Sequence, residues 1–301
     1  MKNIYFIIVV VFLAASCKNN NAISNENITK IEKQIAASPE DSKLYAELNK
    51  EYKKLLEDKR MPDTQREMVL EHAYKFFQNH NQNSYAIPYL MELLKNYGDH
   101  KLNERILDMI TIFDTGKKDE IADVLKMIYI NKFPDDKTNT DKFRAQIGNM
   151  EMNFDTFMLN LGKKIFDPIT TTGKLDTKLA KDYVNNAEAF VLLNPEDKRS
   201  PEYLFKAAEI AHSLKSINKT FELYDWILDK YPNYDKAPTV LFLKGFVLSD
   251  DLKNYDEAGK VYDLFLQKYP NSDLVEHVKT LKKYLGKSDE EMLKMIEKNN
   301  K

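Results

Sequence analysis

Cys17 is the residue whose type and setting point most directly to a specific chemistry. It is the only cysteine in the chain, and it directly follows Leu13-Ala14-Ala15-Ser16. Lys2 and an apolar run over residues 4–15 precede it, which is the composition of a secretory signal peptide. The run is too short to span a bilayer, which needs about 20 residues. An unpaired thiol is a liability in an oxidising compartment, so we expect the Cys17 thiol to be modified after export.

A cysteine directly after small residues resembles the lipobox of bacterial lipoproteins. The resemblance implies that residues 1–16 are removed as a signal peptide, that the thiol receives a diacylglycerol, and that the new amino terminus is acylated. More than one acyl chain gives stable attachment to a membrane. A secreted protein with a free thiol is the alternative. The asparagine-rich residues 17–30 predict a lipidated cysteine followed by a flexible tether.

No other residues match a catalytic motif. The chain has no HExxH pattern, no glycine-rich phosphate loop and no G-x-S-x-G elbow. Histidine pairs at i, i+4 are also absent; the five histidines are His72, His80, His100, His212 and His277. We therefore predict that the protein is not an enzyme and that it uses no metal or cofactor.

Charge and composition narrow the protein class further. Without residues 1–16 the chain has 44 basic and 47 acidic residues, a net charge of −3. Nucleic-acid binders are strongly basic, so we predict no nucleic-acid partner. The chain has only 8 glycines and 10 prolines, and it shows no sustained alternation of β-branched residues. The composition therefore predicts an all-α fold.

Regular interruptions in the helical pattern indicate repeats. Lys230-Tyr231-Pro232-Asn233 recurs as Lys268-Tyr269-Pro270-Asn271, a step of 38, whereas Pro201 recurs as Pro238, a step of 37. The difference predicts one inserted residue in the turn near Asp250. Related stop signals are Lys132-Phe133-Pro134-Asp135 and Leu193-Asn194-Pro195-Glu196.

Small residues lie twelve positions before three of these prolines, at Ala122, Thr220 and Ala258, whereas the fourth copy has Tyr183. A small residue lets two antiparallel helices approach closely, and a proline ends the second helix. Helix pairs repeated every 34 to 40 residues cannot bury their apolar faces alone, so neighbouring pairs stack into a solenoid.

The pattern resembles the tetratricopeptide repeat family, clearly over 201–272 and partly over 103–136. The matching positions are Leu204, Ala207, Ala208, Ala211, Thr220, Tyr224, Ile227 and Pro232 in one copy, and Leu241, Gly245, Leu248, Ala258, Tyr262, Phe265 and Pro270 in the next. In the 103–136 copy Lys126 replaces the second-helix aromatic residue. The resemblance implies antiparallel helix pairs in a right-handed superhelix, an α-solenoid; a generic helical bundle is the alternative.

The repeats divide the chain after the tether into four predicted ranges. Asp273–Leu285 reads as an end helix closed by Gly286, and Ser288 with Glu291 as the capping box of a last helix. The ranges are 31–136 (degenerate N-terminal repeats), 137–200 (an irregular repeat), 201–272 (two clear repeats) and 273–301 (capping helices).

In repeats of this family the first helix of each pair lines a concave groove. By register the groove residues are Phe205, Lys206, Glu209 and His212 in one copy and Phe242, Leu243 and Phe246 in the next. An apolar stripe edged by charge suits a partner peptide or helix. The alternative is that the superhelix closes over the stripe and buries it.

Together the lipobox and the repeats predict a lipid-anchored scaffold that binds partner proteins of the cell envelope; the alternative is a lipoprotein that binds a glycan or peptidoglycan. The composition is similar to that of Bacteroidota lipoproteins. Lys18, rather than aspartate, follows Cys17, which resembles an outer-membrane sorting signal. No acidic residue follows before Glu26, so we expect the periplasmic face of the outer membrane.

Overall fold

The computed structural model describes residues 25–98, 101–114, 120–288 and 290–291. These residues form fourteen α-helices and no strand, which confirms the all-α prediction. The helices are α1 (Glu26–Ala37), α2 (Ser42–Leu56), α3 (Asp63–Asn79), α4 (Asn83–Asn96), α5 (Leu102–Asp114), α6 (Glu120–Lys132), α7 (Lys137–Ile147), α8 (Phe154–Thr172), α9 (Thr177–Leu193), α10 (Ser200–Ser213), α11 (Ile217–Lys230), α12 (Ala237–Asp250), α13 (Tyr255–Lys268) and α14 (Val275–Tyr284). The chain divides into two compact units, one up to Leu93 and one from Leu94.

The first unit begins with a helix where the sequence predicted part of the tether. α1 starts at Glu26 because the side chain of Asn25 accepts a hydrogen bond from the backbone N–H of Ile28 and caps the helix. Ile28 and Ile31 are buried, so apolar packing holds this turn as well. Residues 26–30 are therefore helical, while residues 1–24, including the predicted signal peptide and Cys17, lie outside the described residues.

A carboxylate joins the first three helices. The Glu32 side chain on α1 accepts a hydrogen bond from the Tyr52 hydroxyl on α2 at 2.7 Å and lies 2.8 Å from Nε2 of His72 on α3. The Tyr52 ring packs against Phe77 and Tyr89, with ring centroids 6.0 Å apart in both pairs. The hydrogen bonds of Glu32 thus join α1, α2 and α3, and the aromatic contacts of Tyr52 join α2 to α3 and α4.

In the second unit neighbouring helices pack in pairs, as expected for an α-solenoid. The pairs are α5 with α6, α8 with α9, α10 with α11 and α12 with α13, while α14 covers α13. α7 is an additional helix that packs against α6. The predicted irregular range 137–200 thus consists of this helix and the α8–α9 pair.

The predicted stop signals coincide with helix ends. Four helices end at the first residue of a proline motif: α6 at Lys132, α9 at Leu193, α11 at Lys230 and α13 at Lys268. The residues after α11 and α13 adopt nearly the same backbone conformation, with φ −127° and ψ 53° at Tyr231 and φ −128° and ψ 55° at Tyr269.

The predicted insertion lies in the turn between α12 and α13. The turn after α10 runs from residue 214 to 216, and the turn after α12 from residue 251 to 254. Both contain a lysine in the left-handed region, Lys215 with φ 58° and Lys253 with φ 52°. The extra residue is absorbed in the turn, and the helices on either side keep their lengths.

Gly245 lies at the closest approach between α12 and α13. A Cβ atom at this position would lie 2.6 Å from Cε1 of Tyr262, a fully buried side chain. The first helix of the repeat therefore needs glycine here because the tyrosine ring fills the space of a side chain.

Ion pairs between consecutive repeats also recur. Lys244 on α12 pairs with Asp225 on α11, and Lys282 on α14 pairs with Asp263 on α13; both pairs are 19 residues apart in sequence. Because α12 and α14 each contact the preceding helix through the same pair of charges, these last two steps of the array have the same register.

The 103–136 copy forms the predicted helix pair but with a buried charge. Lys126 is 3% exposed, and its ammonium donates to Asp114 at 2.7 Å and lies 3.5 Å from Asp123. Burial of an ammonium is tolerated where carboxylates compensate it. The two aspartates explain how a lysine is accommodated at this buried position of the helix pair.

The C-terminal part of the second unit follows the predicted caps. α14 is followed by Gly286 in the left-handed region at φ 71°, as expected for a helix C-terminus. The backbone N–H of Ser288 donates to Glu291 at 2.8 Å, and that of Glu291 donates to the Ser288 hydroxyl at 3.3 Å, which is a capping box.

Candidate functional site

The first helices α8, α10 and α12 are tied together near their N-termini by similar contacts. Asp155 on α8 accepts hydrogen bonds from Arg199, at 2.7 Å, and from the hydroxyl of Tyr203. In the next repeat Glu202 on α10 accepts from Tyr234 at 2.5 Å and from Lys236 at 2.8 Å. Each carboxylate thus receives one basic side chain and one tyrosine hydroxyl from the following repeat.

These ties set the pKa of both carboxyl groups. Burial raises the pKa of Glu202, but the hydrogen bonds from Lys236 and Tyr234 outweigh this effect and hold its pKa below the ordinary value of 4.5. Asp155 follows the same pattern, because burial raises its pKa and the bonds from Tyr203 and Arg199 lower it further than burial raises it. Both carboxylates are therefore already hydrogen-bonded within the protein, where they join consecutive repeats.

A groove of about 890 Å³ lies between α8 and α10. Its lining residues come from α8, from α9 and from the start and outer face of α10: Asp155, Met158, Leu159, Gly162, Lys163, Phe166, Asp167, Tyr183, Arg199, Glu202, Tyr203, Lys206, Glu209, Ile210 and Ser213. Tyr183 from α9 is 5% exposed and forms part of its floor. The predicted groove residues Lys206 and Glu209 both line it.

The α8 wall of the groove exposes large apolar side chains. Leu159 is 59% exposed and Phe166 is 48% exposed. They are seven residues apart and so lie on one face of the helix. Between them is Gly162, where an added Cβ would lie 3.9 Å from the Tyr183 ring. The missing side chain leaves a gap between the two apolar residues that reaches towards the floor.

The charges of the α10 wall differ in how they are paired. Lys206 lies 3.6 Å from Glu202, within an ion pair along the helix. The Glu209 side chain makes no hydrogen bond or ion pair with a described residue. Burial raises its pKa, and the nearby Lys236 only partly opposes this effect. Glu209 is therefore an exposed carboxylate without a direct ion pair, and Lys236 and Lys206 both act on it from a distance.

The other predicted groove residues lie outside this groove. Phe205 is only 7% exposed, and the Lys236 ammonium lies 5.0 Å from its ring centroid, so the predicted exposure is not observed there and the burial alternative applies. His212 lies at the end of α10 and contacts Asp251 at 2.7 Å, which joins α10 to the end of α12.

On α12 the three predicted residues differ in exposure. Phe242 is half-buried and packs against the core of the last repeat, and Leu243 is also half-buried. Phe246 is 37% exposed and stacks on Phe242 with ring centroids 6.4 Å apart. The apolar stripe predicted from the register is thus reduced on this helix to one exposed ring.

Sequence reasoning missed the α8 wall. Leu159 and Phe166 lie in the range 137–200, where the repeat pattern is too irregular to assign a first helix. The seven-residue spacing around Gly162 was the available signal, because it places two large apolar residues and a gap on one helical face.

Neither a metal centre nor a membrane-spanning helix is found among the described residues. No group of three or more histidine, cysteine, aspartate or glutamate side chains there is arranged to hold a metal ion. Within the same part of the chain, none of the helices has the length and apolarity needed to cross a membrane.

Comparison of the chain with known proteins and structures identifies no similar protein. No protein-family model, no curated protein and no solved structure matches the chain significantly.

Proposed function

We propose that the protein is a lipid-anchored scaffold of the bacterial cell envelope that binds a segment of a partner protein in the groove between α8 and α10. The observation that supports the proposal is the exposure of Leu159 and Phe166 on one face of α8, inside a groove with a polar opposite wall. Large apolar side chains exposed together in a concave surface are typical of interaction sites.

The shape of the groove favours a peptide segment over a flat protein surface. Its two walls are neighbouring first helices, tied near their N-termini by Asp155, Arg199 and Tyr203. A helix or an extended strand laid along such a groove places its apolar side chains at regular intervals against one wall. The spacing of Leu159 and Phe166 provides two contact points of this kind.

The proposed anchor is the lipid on Cys17, and the proposed location is the periplasmic face of the outer membrane. Replacement of Cys17 by serine removes the acceptor thiol. We expect Cys17→Ser to release the protein from the membrane pellet into the soluble fraction after cell fractionation. Membrane association that persists in this variant would overturn the anchor.

Site-specific photo-crosslinking in cells tests the groove. A photoreactive phenylalanine analogue replaces Phe166, and the matched control carries the analogue at Lys260, an exposed position on the second helix α13. We expect a discrete protein adduct from position 166, absent from position 260 and reduced when Leu159→Ser is added. Adducts of equal yield from both positions would contradict the proposal.

The glycan alternative has its own readout. Phe246 is the exposed aromatic ring on α12 that could stack on a sugar. Retention of the protein on insoluble peptidoglycan, abolished by Phe246→Ser and accompanied by no protein adduct from position 166, would favour that function instead.

A further inference from the structure

We infer that two copies of the protein pair through the groove between α8 and α10. Their α8 helices pack antiparallel across a two-fold axis, and Lys163 of each copy pairs with Glu209 of the other. The inference goes beyond the proposed function, because it concerns a second copy of the chain and does not need a foreign partner. The second copy covers the groove when no partner segment is bound.

The first argument is the shape of the exposed face of α8. Leu159 and Phe166 are exposed on this face, and Gly162 leaves a gap between them. In a two-fold contact, a residue that meets a second residue is met by it in return. When Leu159 of one copy contacts Phe166 of the other, the axis therefore passes between residues 162 and 163. Gly162 then lies where the two helices come closest, and its missing side chain allows that approach.

The second argument is that the two walls of the groove carry complementary charges. Lys163 on α8 and Glu209 on α10 are both exposed, and neither makes a direct ion pair with a described residue. Lys206 and Lys236 act on Glu209 from a distance, and both make their own ion pair with Glu202. An occupant with charges of one sign would be attracted by one wall and repelled by the other. A second copy of the same groove presents both signs and so complements both walls.

The third argument is the position of the two charges along the groove. Asp155 and Tyr203 are hydrogen-bonded near the N-termini of α8 and α10, and both helices line the groove as they lead away from this contact. Lys163 lies eight residues after Asp155, and Glu209 lies six residues after Tyr203, which is about 12 Å and about 9 Å of helix. The two charges thus lie at similar heights on opposite walls. An axis beside residue 163 brings Lys163 of one copy to the height of Glu209 in the other, and the symmetry repeats the contact.

The oligomeric state in solution tests the pairing. The full chain is purified in detergent, and its protein mass is measured by sedimentation equilibrium at a solvent density that matches the detergent. We expect a concentration-dependent dimer. Lys163→Glu places like charges together at both symmetric contacts and should raise the dissociation constant about tenfold. Lys164→Glu is the matched control, because Lys164 is an exposed neighbour on α8 that does not line the groove, and it should leave the dissociation constant unchanged.

Exchanging the two charges separates the specific contact from a general effect of charge. Glu209→Lys alone should weaken the dimer as Lys163→Glu does. The two changes together should restore the dissociation constant, because both symmetric pairs then form with reversed signs.

Gly162→Gln tests the close approach at the axis. We expect it to abolish the dimer, since the new side chain fills the gap between the two helices. The unfolding temperature should not fall, because glutamine favours a helix more than glycine does and a Cβ at this position lies 3.9 Å from the Tyr183 ring, an ordinary contact.

The outcomes distinguish the inference from the proposed function. A chain that is monomeric throughout the concentration range, or a dimer that Lys163→Glu and Phe166→Ser leave unchanged, would overturn the inference. The photo-crosslinked adduct from position 166 provides the second readout. An adduct that contains only a second copy of the chain would support the dimer and leave the foreign partner without support. An adduct with a different protein, formed by a monomeric chain, would overturn the dimer and support the proposed function.

Discussion

The hydroxyl of Tyr234, in the turn between α11 and α12, donates a hydrogen bond at 2.5 Å to the carboxylate of Glu202 on α10. One repeat earlier, the hydroxyl of Tyr203 on α10 makes a similar contact with Asp155 on α8. The repeats are therefore joined at the same edge by similar chemistry, although Asp155 and Glu202 lie in ranges that differ in their match to the repeat pattern.

Removing one hydroxyl from this series should measure its contribution. Tyr234→Phe leaves the ring in place and removes the donor to Glu202, so we expect the free energy of unfolding to fall by about 1–2 kcal/mol. Denaturant unfolding followed by circular dichroism measures the change. Tyr284→Phe is the control, because the Tyr284 hydroxyl has no hydrogen bond to a described residue; an equal loss in both variants would contradict the assigned role.

The same carboxylate should make stability depend on pH. The pKa of Glu202 is lower in the folded chain than its ordinary value of 4.5. Its contribution is therefore fully present above about pH 4.5 and is lost as the pH falls through the folded pKa. Unfolding measured between pH 7 and pH 3 should show a shallower acid decline in Glu202→Gln than in the unchanged protein. A parallel decline in both would show that the pair does not contribute.

Gly245 and Gly259 form a matched pair for helix packing. Gly245→Ala puts a methyl group 2.6 Å from the buried Tyr262 ring, so we expect a loss of about 1–3 kcal/mol from overpacking. Gly259→Ala meets only Cδ2 of Leu285 at 3.6 Å, an ordinary contact, and should stabilise α13 by about 0.5–1 kcal/mol. Thermal unfolding of the two variants should shift in opposite directions; shifts of the same sign would refute the close-approach argument.

The buried Lys126 gives a prediction in which removing a charge is favourable. Lys126→Met keeps the apolar stem and removes the ammonium, so stability should be unchanged or higher. Asp114→Ala keeps the ammonium and leaves it only Asp123, at 3.5 Å, so we expect a loss of about 1–3 kcal/mol. Chemical denaturation of both variants tests the ordering, and it would be wrong if Lys126→Met were the less stable.

The regular part of the fold could be predicted because local rules determine it. Pro134, Pro195, Pro232 and Pro270 mark the ends of four helices, since proline restricts the residue before it and cannot continue the hydrogen bonding. The single inserted residue was likewise visible as a difference between two repeat steps. Such signals depend on the residues within one turn or one repeat step, and they do not require knowledge of how the helices pack.

The candidate site was only partly predictable because exposure depends on distant residues. Lys206 and Glu209 line the groove between α8 and α10, whereas Phe205 is buried, with the ammonium of Lys236, more than thirty residues away, against its ring. The start of α1 was missed because the Asn25 cap and the burial of Ile28 outweigh the polar composition of the segment. The burial of Phe205 thus depends on a residue distant in sequence, whereas the start of α1 depends on a local cap together with burial of the apolar face that follows it.

The Asp225–Lys244 and Asp263–Lys282 pairs show that the same ion pair stabilises two successive steps of the array. Residues 217–254 contain α11, α12 and the whole Asp225–Lys244 pair, and α13 and α14 contain the other pair. A duplicated copy of this 38-residue segment, inserted after residue 254, would bring its own ion pair with it. The array could therefore gain length by tandem duplication while every added helix pair kept this contact.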